Sequence, residues 1–124
     1  MQDRFKFRHW DKRINKMFYP ERNDNFGYYV NNSDIIETMQ CIGLKDKNDK
    51  LIYEGDIVKV PDDWNDYRLI AGENLEVFFN KGGFRLKPKW SNGFYVHWLE
   101  DTKYFEIIGN IYENPELLEV ENES

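Results

Sequence analysis

The sequence predicts a mainly β fold: either a small SH3-like barrel or packed antiparallel sheets, with an N-terminal β-hairpin and a short C-terminal helical turn. Apolar and polar residues alternate in several short runs, as expected for strands with one buried face. Segments rich in Gly, Asn and Asp separate these runs at nearly regular spacing. No long window shows the 3.6-residue apolar spacing of an amphipathic helix.

The first half of the chain predicts two hairpins. Residues 4–19 form the first, because the alternating run RFKFR and the run MFY flank the polar turn DKRINK. Residues 21–34 are rich in Asn, Asp and Gly, and we predict a loop or a short edge strand there. The second hairpin pairs residues 39–44 with residues 50–53 across KDKND, where Asp and Asn tolerate positive φ angles.

The second half predicts further strands and one helical turn. DIVKV is a β-branched strand that ends at Pro61, which has no N–H to donate to a ladder. LEVFF, the turn NKGG and FRLK form a third hairpin, and FYVHWL and YFEIIGNIY are two more strands. In NPELLEV, Asn114 is placed to cap a short helix and Pro115 suits its first position.

Charge is divided unevenly along what we predict to be a single domain over residues 1–124. Its parts are a basic hairpin (about residues 1–22), a barrel-like body (about 35–113) and an acidic segment (114–124). The hairpin has seven basic and three acidic residues, whereas residues 100–124 have one basic and eight acidic. This polarity suits head-to-tail self-association, or one subunit folding its acidic end over its own basic start.

The composition argues against several site types. Cys41 is the single cysteine and His9 and His97 are far apart, so we expect neither a disulfide framework nor a zinc site. DKNDKLIYEGD has oxygen side chains but lacks the Gly and Glu positions of an EF-hand loop. We therefore expect no metal and no cofactor. No apolar run approaches membrane-spanning length and the start MQDRFKFRHW is charged, which predicts a cytoplasmic protein without membrane contact.

The chain also lacks a recognisable catalytic motif. His97 is the only strand histidine and therefore the only credible general base, but no partner for it is apparent. Ser33 and Ser91 stand in turn sequences without a nucleophile-elbow pattern, and NKGGF is too short for a phosphate-binding loop. We predict a protein that is not an enzyme.

Two kinds of binding surface remain. Strand alternation puts Lys6 and Arg8 on one, solvent-facing side and Phe5 and Phe7 in the core. A small β-barrel with basic residues beside aromatics can bind nucleic acid, although the net charge of −6 opposes affinity for phosphate. The candidate nucleic-acid contacts are Arg4, Lys6, Arg8, Lys87 and Lys89.

The second kind is a protein interface. Four Trp, eight Tyr and nine Phe in 124 residues exceed what a small core readily buries, so some aromatic side chains are expected at the surface. Trp64, Tyr67 and Trp90 stand in loop-like sequences and are the candidate interface residues, together with Tyr28 and Tyr29. The alternative is that these rings cover the ends of the barrel.

Three segments resemble one known family: FKFRHWDKRINKMFY, MQCIGLKDKNDKLIYEGDIVKV and FEIIGNIYENPELL. In this order they resemble the YopX-like family of small proteins encoded by bacteriophages and prophages of Gram-positive bacteria. Two residues depart from the family pattern without weakening the resemblance. They are Cys41 within MQCIGL and Asp49, which stands at a turn position where Gly is commoner. The resemblance implies a phage or prophage origin, a location in the host cytoplasm and self-association, and it supplies no catalytic residues.

These observations together predict a non-catalytic binding or assembly protein that self-associates and contacts a phage or host protein. The alternative is an accessory protein that binds single-stranded or duplex nucleic acid through the basic hairpin and the barrel aromatics.

Overall fold

The chain folds into two four-stranded antiparallel sheets in a computed structural model that describes residues 5–20, 26–65, 69–88 and 99–119. The strand orders are β2-β1-β3-β4 in the first sheet and β7-β6-β5-β8 in the second. The mainly β prediction is therefore confirmed. The strands are β1 (Phe7–Asp11), β2 (Lys16–Phe18), β3 (Ile36–Lys45), β4 (Leu51–Tyr53), β5 (Asp56–Lys59), β6 (Asn74–Asn80), β7 (Gly83–Pro88) and β8 (Glu106–Asn110).

The predicted N-terminal hairpin is present as β1 and β2. His9 pairs with Phe18 and Asp11 with Lys16, and Asn15 in the turn has a φ of 50°. The other edge of β1 pairs with β3, from Phe7 opposite Gln40 to Asp11 opposite Ile36. The hairpin is thus an integral half of the first sheet.

The second hairpin, β3 and β4, is organised by the carboxylate of Asp46. One of its oxygens accepts hydrogen bonds from the backbone N–H groups of Asn48 (2.9 Å) and Lys50 (3.0 Å), and Asp49 has a φ of 65°. Its other oxygen accepts a hydrogen bond from the backbone N–H of Ile107 in β8, at 2.9 Å. Asp46 therefore satisfies the turn and ties it to the second sheet.

Gly55 lies where the two sheets meet, in the turn between β4 and β5. Its N–H donates to the carbonyl of Val77 (2.7 Å), and its own carbonyl accepts from the N–H of Ile111 (2.8 Å). Its φ is +86°, and a Cβ atom there would lie 3.3 Å from the sulfur of Met39. The positive φ favours glycine, and any larger residue would also have to displace the Met39 side chain slightly.

The second sheet supplies most of the apolar core. β5 pairs with β6 and β8, and β6 pairs with β7 in the predicted third hairpin, whose turn has Lys81 at φ 51° and Gly82 at φ 81°. Two positive φ angles in succession are typical of a type I′ turn. The two sheets share one core, which consists of Ile42, Ile52, Val58, Val60, Leu75, Val77, Leu86 and Phe105.

One predicted element is wrong. Within residues 21–34, where a loop or a short edge strand was predicted, the described residues 26–31 form the helix α1 (Phe26–Asn31), and residues 21–25 lie outside the described residues. The rings of Phe7 and Phe26 have centroids 4.8 Å apart, and those of His9 and Tyr29 are stacked at 3.8 Å. Packing against β1 thus stabilises a helix whose own sequence, FGYYVN, has weak helical propensity.

The C-terminal half also departs from expectation in detail. Residues 94–98 of the predicted strand FYVHWL lie outside the described residues, and Leu99 begins the 3-10 helix Leu99–Tyr104. The predicted C-terminal helical turn is present as the 3-10 helix Pro115–Leu118. Asn114 does not cap it with its side chain, which instead accepts a hydrogen bond from the backbone N–H of Asn110, at 3.2 Å.

Candidate functional site

Strand β1 is buried on both faces. On one face, Phe7 and His9 pack against the rings of α1. On the other face, Trp10 stacks on Tyr112, which follows β8, with ring centroids 5.7 Å apart. A strand covered on both sides has no solvent-facing row of side chains.

Arg8 lies on this covered strand, and its surroundings contradict the prediction made from the sequence. It was expected on a solvent-facing basic row but is only 2% exposed. Its guanidinium forms a 2.8 Å ion pair with Asp56 and donates a 2.9 Å hydrogen bond to the carbonyl of Glu54. Phe5, expected in the core, is 55% exposed. Arg8 therefore connects the two sheets, and its charge does not face solvent where a phosphate would bind.

Two tyrosines complete the surroundings of Arg8. Its guanidinium lies 4.9 Å from the ring centroid of Tyr53 and donates a 3.3 Å hydrogen bond to the hydroxyl of Tyr19. Burial raises the pKa of Asp56, while the Arg8 guanidinium acts in the opposite direction. Burial also raises the pKa of Tyr53 to about 12. Arg8, Asp56 and Tyr53 are buried, whereas Tyr19 is 55% exposed. We call these four side chains the Arg8–Asp56 junction.

The other candidate nucleic-acid residues do not form a common basic surface in the described structure. Lys6 is exposed just before β1, in the first sheet. Lys87 lies on β7 in the second sheet, where its ammonium is 3.7 Å from the carboxylate of Glu76 and 4.9 Å from the ring centroid of Phe78. Arg4 and Lys89 lie outside the described residues.

Among the candidate interface aromatics, Trp64 packs on the core and covers one end of it. Its ring centroid is 5.2 Å from that of Phe105 and 6.1 Å from that of Tyr104, and its side chain is half-buried. Trp64 therefore covers one end of the core, as in the alternative prediction, and its role as an interface residue stays a prediction. Tyr67 and Trp90 lie outside the described residues.

The described polar side chains that could take part in a reaction have structural roles. His9 is 1% exposed and shares a 2.9 Å hydrogen bond between its Nδ1 and the Oγ1 of Thr38. Burial lowers the pKa of His9, so the neutral ring is favoured. Cys41 is fully buried in β3, and His97 lies outside the described residues. Within the described ranges, no group of three or more His, Cys, Asp or Glu side chains is suited to hold a metal ion.

Exposed apolar side chains occur instead on the hairpin turn and on α1. Ile14 is 59% exposed, Tyr28 is 54% exposed and Val30 is 43% exposed. The guanidinium of Arg13 interacts with the Tyr28 side chain, so the turn and the helix lie on the same side of the molecule. We call Ile14 and Tyr28 the hairpin–helix surface. Val30 is two residues from Tyr28 along α1 and therefore lies on another side of the helix.

Charges beside this surface are already paired within the chain. The guanidinium of Arg13 forms a 2.9 Å ion pair with Asp11, and this contact lowers the pKa of the Asp11 carboxyl. The ammonium of Lys12 lies 2.9 Å from the carboxylate of Glu37. Three basic residues of the hairpin, Arg8, Lys12 and Arg13, are therefore paired with carboxylates.

Sequence reasoning found Tyr28 as an exposed aromatic but missed Ile14 and the Arg8–Asp56 junction. Ile14 had a local signal, since an apolar residue within the polar turn DKRINK has no core to enter. The junction had none, because Arg8 and Asp56 are far apart in sequence and only the packing of two sheets brings them together.

Comparison with known proteins gives relatives for the whole fold. The crystal structure of protein EF1440 from Enterococcus faecalis is similar at 24% sequence identity with a TM-score of 0.60, over 92% of this chain and 97% of that chain. The X-ray structure of protein yopX from Bacillus subtilis is similar at 25% identity with a TM-score of 0.58, over 96% and 99%. No curated protein matches the sequence.

The chain was also compared with models of protein families. The model described as YopX protein matches residues 20–119, which is well over half of the chain and includes the Asp46 turn, the β4–β5 turn and the C-terminal 3-10 helix. The chain therefore belongs to the YopX family.

Proposed function

We propose that this protein is a non-catalytic binding or assembly module, encoded by a phage or prophage and acting in the cytoplasm of the bacterial host. It associates with itself and contacts a phage or host protein. The observation that carries the proposal is the hairpin–helix surface, where Ile14 and Tyr28 are 59% and 54% exposed. Aromatic and aliphatic side chains exposed together are typical of protein interfaces.

The pairing of basic side chains with carboxylates favours a protein partner over nucleic acid. Affinity for nucleic acid depends on cations that are free to neutralise phosphates. Arg8 is buried against Asp56, and Lys87 lies beside Glu76. The net charge of −6 acts in the same direction.

Absence of catalysis is part of the proposal because the described buried polar side chains are engaged in structural contacts. Asp46 accepts three backbone N–H groups, and Asp56 accepts from Arg8 and from the backbone N–H of Tyr53. His9 is buried beside Thr38 and Tyr29. Such contacts explain why these polar side chains are buried without assigning them a role in catalysis.

The test is affinity capture of the tagged full chain from a host lysate, with and without nuclease, using the wild type and Tyr28→Ser. We expect a discrete protein that survives nuclease treatment and is reduced by Tyr28→Ser. The matched control is Tyr104→Ser, because Tyr104 is 51% exposed but lies in the 3-10 helix beside Trp64. Material that disappears on nuclease treatment would instead establish nucleic-acid binding.

A further inference from the structure

A cavity of about 390 Å³ opens beside the Arg8–Asp56 junction, between the N-terminal hairpin, β4 and β8. Tyr19 and Tyr53 form one wall, with ring centroids 5.8 Å apart in an edge-to-face arrangement. Leu51 and Ile107 add aliphatic surface, and Lys50 stands at the rim. The volume and the mixture of apolar walls with a few polar groups suit a bound side chain or a short peptide segment.

The acceptors of the cavity are already occupied. One carboxylate oxygen of Asp56 pairs with Arg8 at 2.8 Å, and the other accepts the backbone N–H of Tyr53 at 2.8 Å. Neither oxygen needs a further donor. The Asp56 carboxylate thus has little remaining capacity to accept a hydrogen bond from a bound molecule.

The donors of the cavity are not all occupied. The Nε of Arg8 is buried and has no acceptor among the described residues. Across the same ranges, no carboxylate pairs with the exposed ammonium of Lys50. The hydroxyl oxygen of Tyr19 accepts from Arg8, and because the Tyr19 side chain is 55% exposed, its own hydrogen is open to solvent or to a bound acceptor. The cavity therefore favours an acceptor, and next to a lysine a carboxylate is the acceptor of choice.

The chain itself contains a segment of this chemistry. Residues 114–124, NPELLEVENES, alternate glutamates with leucine and valine, and residues 100–124 contain eight acidic residues and one basic residue. Glu119 is exposed and makes no ion pair with any described residue. The segment thus combines carboxylates with short apolar side chains, which match the donors and the apolar walls of the cavity.

We propose that the cavity binds the acidic C-terminal segment of a second copy of this chain, with a glutamate carboxylate at Lys50 and an apolar side chain between Tyr19 and Tyr53. This inference rests on the self-association in the proposed function. The chain's own segment begins on β6, where the side chain of Asn74 donates a 2.9 Å hydrogen bond to the carbonyl of Leu117. Exchange of segments between two copies fills both cavities and forms a closed dimer.

A charge exchange tests this contact in the full-length protein. Sedimentation equilibrium gives the dissociation constant of the wild type, of Lys50→Glu, of the double variant Glu119→Lys with Glu121→Lys, and of the combination. We expect Lys50→Glu and the double variant each to weaken association about tenfold or more, because like charges then meet at the contact. We expect the combination to restore association, since opposite charges then meet again at the contact.

Lys81→Glu is the matched control. Lys81 is exposed in the β6–β7 turn, and its substitution changes the net charge by the same amount as Lys50→Glu. We expect it to leave association unchanged. Circular dichroism of each variant shows that the fold is retained, which the exposure of Lys50 and Glu119 leads us to expect.

The possible failures are distinct. If the wild type associates and Lys50→Glu associates equally well, the cavity is not the contact, and the proposed self-association stands. If the combination does not restore association, the acidic segment is not the occupant. A wild type that is monomeric at all concentrations refutes self-association itself. If that monomer loses thermal stability on Lys50→Glu and regains it in the combination, the segment occupies its own cavity and a second copy is excluded.

Discussion

The apolar core of the second sheet and the Arg8–Asp56 junction are equally buried but are stabilised differently. Val58, Leu75 and Val77 are 0–1% exposed and pack against other apolar residues, whereas Arg8 and Asp56 are each 2% exposed and depend on each other. Apolar burial has no preferred direction and does not change with protonation. A buried ion pair requires both partners in a set geometry, because either charge alone is costly in the protein interior.

This difference indicates separate contributions to the fold. Many arrangements of apolar side chains fill a core, so the core supplies free energy of folding with modest demands on orientation. The guanidinium of Arg8 reaches Asp56, the Glu54 carbonyl and Tyr19 only when β1 lies correctly against the β4–β5 turn. We infer that the junction sets how the two sheets meet.

The largest effect is expected from breaking the junction. Arg8→Met leaves the Asp56 carboxylate buried without its cation, and we expect the free energy of unfolding to fall by about 3–5 kcal/mol. Urea denaturation measures it. Adding Asp56→Asn should recover part of the loss, because the amide oxygen still accepts the N–H of Tyr53 and no charge remains.

Lys12→Met is the control for that experiment. Lys12 pairs with Glu37 at 2.9 Å, but both side chains are more than 40% exposed. Such a pair contributes about 0–1 kcal/mol. If Arg8→Met were as mild as Lys12→Met, the junction would not be a determinant of stability.

A smaller and pH-independent effect is expected in the core. Ile52 is fully buried, and Ile52→Val removes one methylene group, which should cost about 1 kcal/mol. The loss should be equal in mildly acidic and mildly basic buffer, because no titrating group is involved. Ile14→Val, at a residue 59% exposed, should change the stability little. A strong pH dependence of the Ile52→Val effect would contradict the contrast between the two regions.

A second buried polar residue of β1, His9, should show its contribution to stability through pH. Burial lowers the pKa of His9 below its usual value of 6.5, so between those two values the unfolded chain binds more protons than the folded chain. Stability is therefore fully present above the unfolded pKa and is lost as the pH falls through the folded pKa. Denaturation of the wild type and of His9→Phe across this range measures it, and we expect a flatter profile for the variant.

An NMR titration of the His9 ring provides the direct check of this prediction. A His9 pKa at or above 6.5 would show that burial does not disfavour the charged ring.

The smallest effect belongs to a turn outside both regions. Lys81 has a φ of 51°, which costs a side chain with a Cβ atom free energy, and asparagine followed by glycine is favoured in a type I′ turn. Lys81→Asn should raise the stability by about 0.5 kcal/mol. Thermal unfolding measures it, with Lys47→Asn as the control at an exposed turn residue without a positive φ. An equal gain at both positions would exclude the turn as the cause.

Local patterns carried the prediction of the strands. The turns KDKND and NKGG adopt positive φ at Asp49, Lys81 and Gly82, and alternating runs on either side of them pair as expected. Turn chemistry and strand alternation are properties of a few neighbouring residues, so they are visible in the sequence. The hairpin of residues 4–19 was predicted for the same reason.

Long-range packing decided the features that sequence reasoning did not predict. α1 is stabilised because Phe26 packs on Phe7 and Tyr29 stacks on His9 of β1. Trp64 is half-buried because its ring packs against Phe105. The candidate site changed accordingly, from a basic row and loop tryptophans to the hairpin–helix surface and the cavity. In each case the side chain's surroundings come from residues distant in sequence.

The class of fold, the positions of the hairpins and the family are all readable from the residues alone, because they depend on local alternation, turn residues and extended motifs. The surroundings of Arg8 are not, because they depend on how the two sheets pack. Alternation assigns a side chain to one of two faces of a strand, but whether a face meets solvent depends on what covers it. Here α1 and the second sheet cover both faces of β1, and a residue expected to meet phosphate is instead an internal connection between two sheets.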